Sequence, residues 1–377
     1  MPSGATAPVK FNRSIGGVSA DAEAGVCVAN PSRTPLGELG VDPNVKTDGP
    51  GNSRKVPHGK QSCFQSLTTC GSSSRNESGS LSEAERCIQT NLSCCGRLGM
   101  QLLSFSKAKE ASAGPTWDYM ELQTNITPDM RAVLVDWLME VDSVELQSES
   151  GREVFLAVRI LDTYLSSLRR PILRRDLQMV GVASLMLATK YEVDGHFIRP
   201  SDAAALCDGA YRVDEIVAME VSIFASMGFS VGVPTTIDFL NFFMKASPLL
   251  AETEGRGPRW AQFCFLCLYC AEASMMYMHL HIQFRPSEIA AASVAIAHDL
   301  LGVDSWGPAL AEMTGRSRAD LMDCAACVLA CVEDFTLSDT PSPWAGRGGP
   351  FLRAKYSSPR AFNVVGLIRE RSQSRSK

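Results

Sequence analysis

The chain has 377 residues, a net charge of −5, 45% hydrophobic and 20% charged residues. That is room for about two domains of ordinary size with a real core, plus tail. The acidic balance gives no global attraction to nucleic acid or an anionic membrane surface.

The first residues contain no apolar run, so no secretory signal is expected. Residues 1–98 are rich in Ser, Gly, Asn and Pro and poor in aromatics. Such a composition cannot bury enough apolar surface to offset its ordering entropy, and a disordered regulatory tail is expected. A weak amphipathic helix follows over about 99–111.

The stretch M-R-A-V-L-V-D-W-L-M-E-V (130–141) is the most informative of the chain. Met130, Val133, Leu134, Trp137, Leu138 and Val141 form a helical stripe. Ala132, Val135 and Met139 make the other faces apolar too, so the helix is either central in a core or has one face in the core and another presented to a partner. Thr127 is the expected N-cap, with Pro128 in the first turn and Asp129 where the helix dipole favours a negative charge. Further helices are expected near 152–168, 174–192, 201–207 and 213–227, the last closed by Gly228. After Val233-Pro234 the series restarts at 235–246, 258–279, 287–301, 306–314 and 317–335. No period-2 strand pattern stands out.

The halves correspond. V-G-V-A-S-L-M-L-A-T-K (180–190) and I-A-A-A-S-V-A-I-A-H-D (289–299) are both small-residue helices, with Ala183-Ser184 and Ala292-Ser293 in register. Small residues let neighbouring helices approach, so each is expected to be the centre of a five-helix bundle. Trp260 to Met278 is apolar enough to imitate a membrane span, but Glu272 lies in its middle and its length barely suffices. It reads as a buried core helix.

The 13 cysteines, with no secretory signal, are expected to be reduced. Cys264, Cys267 and Cys270 form one close set and Cys324, Cys327 and Cys331 another. Both lie in helical, Ala- and Leu-rich runs without the Gly or Pro of a metal knuckle, so core packing is expected and no metal. His279 and His281 read as surface or internally satisfied. No phosphate-binding loop, kinase, hydrolase or metalloprotease motif occurs. Neither an enzyme nor a cofactor is expected.

The stretch 130–141 closely resembles the opening helix of the cyclin box. L-A-V-R-I-L-D-T-Y-L-S-S (156–167), L-Q-M-V-G-V-A-S-L-M-L-A-T-K-Y-E (177–192) and V-A-M-E (217–220) follow in the family's order. V-P-T-T-I-D-F-L (233–240), F-R-P-S-E-I-A-A-A (284–292), the Trp306 segment and L-R-A-K-Y (352–356) carry the likeness into the second half. The resemblance implies an all-α chain with two tandem five-helix cyclin folds. The segments would be the tail (1–98), an N-terminal helix and linker (99–126), the first cyclin box (127–232), the second fold (233–336) and a C-terminal extension (337–377).

The resemblance also implies roles. The chain would bind and activate a cyclin-dependent protein kinase as a mitotic cyclin, closest to the A-type and reminiscent of plant or algal forms, with the B-type as alternative. Lys190 and Glu220 match the family's kinase-anchoring pair. Leu187, Tyr191, Glu192, Phe224, Phe229 and Val231 match kinase-facing neighbours. Arg131 and Asp162 match an ion pair tying the first two helices of the box. Met130, Val133, Leu134, Trp137, Glu140, Leu177 and Gln178 match a groove that docks Arg-x-Leu peptides of substrates and inhibitors. Val193 departs from the family, which commonly has a second acid there, and the loop after it is longer than usual.

In the tail, R-T-P-L-G-E-L-G resembles a destruction box, with Arg33, Leu36, Gly37, Glu38 and Leu39 as its core. It implies recognition by the anaphase-promoting ubiquitin ligase. Thr34, Ser342 and Ser358 each precede a proline, as proline-directed phosphosites do. Action in the nucleus, and also in the cytoplasm, is expected, without nucleic acid or membrane as partner. A different class, general transcription factors of the B type, uses two cyclin-like repeats to bind DNA. That class wants a strongly basic face and a zinc ribbon, and the tail cysteines lack paired knuckles.

Overall fold

A computed structural model of the chain describes residues 96–110, 114–115, 117–148, 151–192, 197–253, 257–303, 306–337 and 351–375. The destruction-box-like motif, Val193 and the first part of its loop, Thr34 and Ser342 lie outside these residues. Every regular element described is helical.

The first bundle contains α2 (Pro128–Glu140), α3 (Arg152–Ser167), α4 (Leu177–Glu192), α5 (Pro200–Leu206) and α6 (Val213–Ser226). It is preceded by α1 (Gly96–Glu110). The second contains α7 (Thr236–Lys245), the short α8 (Pro248–Glu252), α9 (Gly257–Met275), the short α10 (Met278–Gln283), α11 (Pro286–Leu301), α12 (Pro308–Thr314) and α13 (Met322–Leu337). Two more helices, α14 (Phe351–Ser357) and α15 (Val364–Arg375), follow.

The entry into α2 is as the sequence expects. The Thr127 hydroxyl accepts the Met130 backbone N–H at 3.2 Å, and Pro128 opens the first turn. α4 packs against α2, α3, α5 and α6, and α11 against α7, α9, α12 and α13, so each is the hub of its bundle. Their small residues permit this. A Cβ on Gly181 would lie 2.7 Å from Leu134 Cδ1, so the α2 side chain rests on bare backbone. Ser184 and Ser293 are both fully buried, and each hydroxyl donates to the carbonyl four residues back at 2.8 Å. The correspondence between the halves therefore extends to individual hydrogen bonds.

The two bundles are joined through Arg131, which has no exposed surface. Its Nη2 and Nε donate to both Asp162 oxygens at 2.6 and 2.7 Å. The Tyr119 hydroxyl donates to Asp162 Oδ1 at 2.6 Å. Arg131 Nη1 donates to the Met275 carbonyl at 2.8 Å. The sequence reading assigned this pair to the first bundle alone. The guanidinium also satisfies the end of α9, whose last carbonyls have no partner within the helix. α9 stops at Met275, short of the 279 that the sequence pattern suggests. Burial works against the charge, and Asp162 and Tyr119 more than offset it, holding the guanidinium above its ordinary range.

α9 is the buried core helix expected, and no described helix is long and apolar enough to cross a membrane. Its Glu272 accepts from Lys355 Nζ at 2.9 Å. Lys355 lies on α14, which the sequence periodicity did not resolve as a helix. The N-terminus of α14 is capped from the other bundle: the Asp136 carboxylate on α2 accepts the Phe351 and Leu352 N–H groups at 2.8 and 3.0 Å. Tyr356 of α14 packs on Tyr269 of α9, with ring centroids 5.0 Å apart. α1 is fastened mainly to the second bundle and the linker. Glu110 accepts from the Ser287 N–H and hydroxyl at 2.9 and 2.7 Å. Lys107 donates to the Met313 carbonyl and Lys109 to the Gly232 carbonyl.

Replacing Arg131 with Met leaves Asp162 buried without its cation, and should cost about 3–5 kcal/mol of stability. The Arg131→Met/Asp162→Leu double variant should cost less than the two singles together. Urea denaturation checks both; a single-variant loss no larger than that of the exposed Arg199–Asp202 pair would refute this role.

Candidate functional sites: a helix face and a groove

The first candidate site lies where the C-terminal end of α4 meets the middle of α6. Lys190 Nζ and Glu220 Oε1 are 2.5 Å apart. Glu220 is nearly buried, while 37% of the Lys190 side chain is exposed. The pair is thus set in the surface, with the lysine hydrogens turned partly outward. Around it lies more apolar surface than the interior needs. Phe229 is 69% exposed, Val221 60% and Tyr191 55%. Phe229 has a φ of +61°, directly after Gly228 at +60°. This left-handed pair costs a non-glycine residue about 1 kcal/mol. It holds the Phe229 ring outward, edge-on to Phe224 at 5.3 Å. Tyr191 lies over the linker: a Cβ on Gly232 would sit 2.0 Å from its hydroxyl oxygen.

The other residues anticipated on this face divide. Leu187 and Val231 are almost buried and support the surface from beneath. Glu192 is drawn sideways into an ion-pair chain, with Arg152 Nε at 2.8 Å and Arg152 Nη2 bonded on to Asp238 at 2.7 Å. The sequence reading missed the exposed stripe of α6. Val213, Val217 and Val221 recur every four residues and point to solvent, whereas Ile216 and Ile223 enter the core. The four-residue spacing was visible. Which side of α6 meets α4 was not.

The second candidate site runs along α2 and α4. Met130, Val133 and Glu140 are partly exposed, and Trp137 keeps a narrow edge at the surface. Leu134 and Leu177, expected to line the groove, have no accessible surface and belong to the core behind it. Gln178 is nearly buried, and its Nε2 has no hydrogen-bond partner among the described residues. An amide donor left so costs about 1–3 kcal/mol, unless something outside the fold accepts from it.

α2 runs on into a π-turn, Val141–Glu145, which buries Asp142. Burial, aided by Glu153 and opposed by Lys355, pushes the Asp142 carboxyl up to about 8. Its Oδ1 has no partner among the described residues.

The two cysteine sets are packed in helices. Cys264, Cys267, Cys270, Cys324 and Cys331 are buried, and Cys327 is partly so. Burial pushes the Cys270 and Cys324 thiols up to about 12, which leaves them unreactive near neutral pH. Among the described residues, no three His, Cys, Asp or Glu side chains converge as a metal would require. His281 is held by the Ser274 carbonyl at 3.2 Å, and burial lowers it to about 4.

Two helical bundles of equivalent plan, with an ion pair in an apolar face and a separate groove, define an all-α protein built on tandem repeats. Residues 101–232 match the cyclin N-terminal domain and residues 234–367 the cyclin C-terminal domain. The chain belongs to the cyclin family. It is 32% identical over 283 residues to Cyclin-A3-1 of Oryza sativa subsp. japonica, covering 73% of this chain and 69% of that one. It is 34% identical over 269 residues to Cyclin-B1-1 of Arabidopsis thaliana, covering 70% of this chain and 57% of that one. It thus spans between somewhat over half and about two thirds of these relatives' length. Among solved structures, a viral cyclin from herpesvirus saimiri superimposes with a TM-score of 0.50 at 18% identity, over 62% of this chain and 97% of that one. That likeness is one of fold.

Asp142 yields a pH prediction. It is neutral in the folded chain up to about pH 8 and ionises near pH 4 when unfolded. Its contribution is therefore fully present below pH ~4 and lost as pH rises through about 8. The advantage of Asp142→Asn over wild type should grow between these limits and level off above them. Urea midpoints across the range read this directly; an advantage that does not change with pH would contradict it.

Proposed function

We propose that this chain is the regulatory subunit of a cyclin-dependent Ser/Thr protein kinase, a mitotic cyclin with the A-type favoured. The observation that carries this reading is the α4–α6 face, where a Lys190–Glu220 pair stands among exposed Val213, Val217, Val221, Tyr191 and Phe229. An apolar ring that excludes water from a charged centre is the make-up of an interface hot spot. Lys190 retains hydrogens, and Glu220 a second oxygen, with which to bond a partner's backbone. Packing of this face against the kinase's regulatory helix would turn that helix so that the kinase's own Lys–Glu pair closes. The free energy for the shift comes from contacts made only in the active state.

The A-type reading is favoured by L-V-D-W-L-M-E-V and V-P-T-T together with the destruction-box-like motif. The B-type is the alternative, and the likeness to a B-type relative keeps it in view. Co-purification from synchronised dividing cells separates them: an A-type cyclin accumulates with its kinase before a B-type one does.

The groove is proposed to dock Arg-x-Leu segments of substrates and inhibitors. The leucine would enter beside Trp137, Val133 and Met130, and the arginine would meet the Glu140 carboxylate in a charge-assisted bond. The unpartnered Gln178 amide supports this, since an extended peptide brings backbone carbonyls to it. Turnover is proposed to run through the anaphase-promoting ubiquitin ligase reading Arg33–Leu39, and action to be nuclear as well as cytoplasmic.

The Lys190→Ala/Glu220→Ala variant should lose about 2–5 kcal/mol of kinase affinity, roughly 30-fold or more. Titration of histone-kinase activity against cyclin concentration measures it, with circular dichroism to verify folding. Full activation by the variant at low concentration would refute the assignment. Deleting Arg33–Leu36 should lengthen the protein's half-life at mitotic exit, measured after synthesis is blocked. An unchanged half-life would remove the motif from the account.

A further inference from the structure

The loop between α3 and α4 reads R-R-P-I-L-R-R-D over residues 169–176, a net charge of +3 in a chain of −5. Arg169, Arg170 and Arg175 are exposed, and Arg174 is partly so. Among the described residues, the one ion pair within 4 Å found for the exposed three is Arg175 with Asp176, at 3.4 Å. An apolar side chain, Leu173, stands 50% exposed in their midst.

The loop is built to hold its shape. Gln123 accepts the Ile172 N–H at 2.8 Å and donates to the Arg170 carbonyl at 3.4 Å. Asn125 donates to the Ile172 carbonyl at 2.9 Å, and the Tyr211 hydroxyl donates to the Arg175 carbonyl. The Asp176 N–H closes onto the Leu173 carbonyl at 2.9 Å. The backbone is thus stapled from two other segments, while three arginine heads project from it.

Its position follows from how α2 and α4 run. Segment 119–127 leads into α2 and is bonded to the end of α3 and to loop 168–173, which leads into α4. Leu134 rests on Gly181. The two helices therefore run parallel, with their N-termini at the same end of the groove. Gln178 and Met130 lie at that end, and Glu140 lies about 15 Å along α2 at 1.5 Å per residue. The groove is acidic at one end and arginine-rich at the other. A peptide whose Arg meets Glu140 and whose Leu reaches Trp137 and Val133 leaves the groove toward the arginine loop. At ~3.3 Å per extended residue, the three to five residues after the Leu arrive there.

We infer that loop 169–175 is a second docking element that selects Arg-x-Leu segments followed by a run of Asp and Glu. Guanidinium groups pair bidentately with carboxylates, and Leu173 supplies an apolar contact between them. The opposite charges of the two ends also fix the direction in which the peptide lies. This inference rests on the docking reading of the groove.

The test uses the full chain and fluorescently labelled Arg-x-Leu peptides with either an Asp/Glu tail or a Ser/Gly tail, read by polarisation. The acidic tail should tighten binding about tenfold at low salt, as several exposed pairs together allow. The gain should shrink steeply at about 0.3 M salt. In Arg169→Ala/Arg170→Ala/Arg175→Ala it should vanish, with the neutral-tailed peptide bound as by wild type. Equal binding of both tails, or a gain that survives in the triple variant, overturns the inference. So does an oligonucleotide that outcompetes the acidic peptide on wild type and not on the variant, since it would make the loop a nucleic-acid contact. Glu140→Gln should weaken both peptides alike. If neither peptide binds wild type, the groove reading itself fails, an outcome distinct from binding that ignores the tail.

Discussion

The architecture depends on one buried cation. Arg131 stands on the opening helix of the first bundle, reaches Asp162 on the next helix, and bonds Met275 at the end of α9 in the second bundle. A guanidinium without solvent is tolerable only if nearly all its donors are used in good geometry. Meeting that condition fixes α2 against α3 and both against α9 together. The second tie, Asp136 capping α14 while Lys355 of α14 pairs with Glu272 of α9, spans the same junction. Two polar clamps, rather than a wide apolar seam alone, set how the repeats meet.

α4 then serves as an axis for function. Gln178, at its first turn, is on the proposed docking groove; Lys190, near its last, is on the proposed kinase face. They are about 18 Å apart at 1.5 Å per residue. α4 is buried along its middle by α2, α3, α5 and α6, so it holds both ends in a fixed relation. A kinase on one end and a substrate segment at the other would not compete for surface. The cation near the C-terminus of α4 also lies where the helix dipole favours positive charge.

Much of this was legible in the chain. The helical stripe of 130–141, its Thr127 cap, and the matched Ala-Ser pairs of α4 and α11 depend on local periodicity and local hydrogen bonds, which sequence spacing encodes. The excess apolarity of α2 was legible as well, and it divides as its pattern suggests: Leu134 and Leu138 are wholly internal, while Met130 and Val133 keep a foot in solvent. The Lys190–Glu220 pair could be proposed because both residues match the family's anchoring positions and each charge has apolar neighbours in the sequence.

The rest was decided by partners far away in the chain. α14 has seven residues, too few to be stable alone, and its cap comes from Asp136 on α2. α9 ends where Arg131 takes its carbonyls, which no local breaker announces. Leu134 and Leu177 left the groove for the core, and Glu192 left the partner face for Arg152, because neighbouring helices offered closer company. The stapled arginine loop needed Gln123, Asn125 and Tyr211 to become a surface. By itself the sequence determined the principal helices of the two bundles, that they repeat, and the family to which they belong, since these follow from side-chain type and spacing. Only the tertiary structure decided which face of each helix remained exposed, because exposure depends on what packs against a residue.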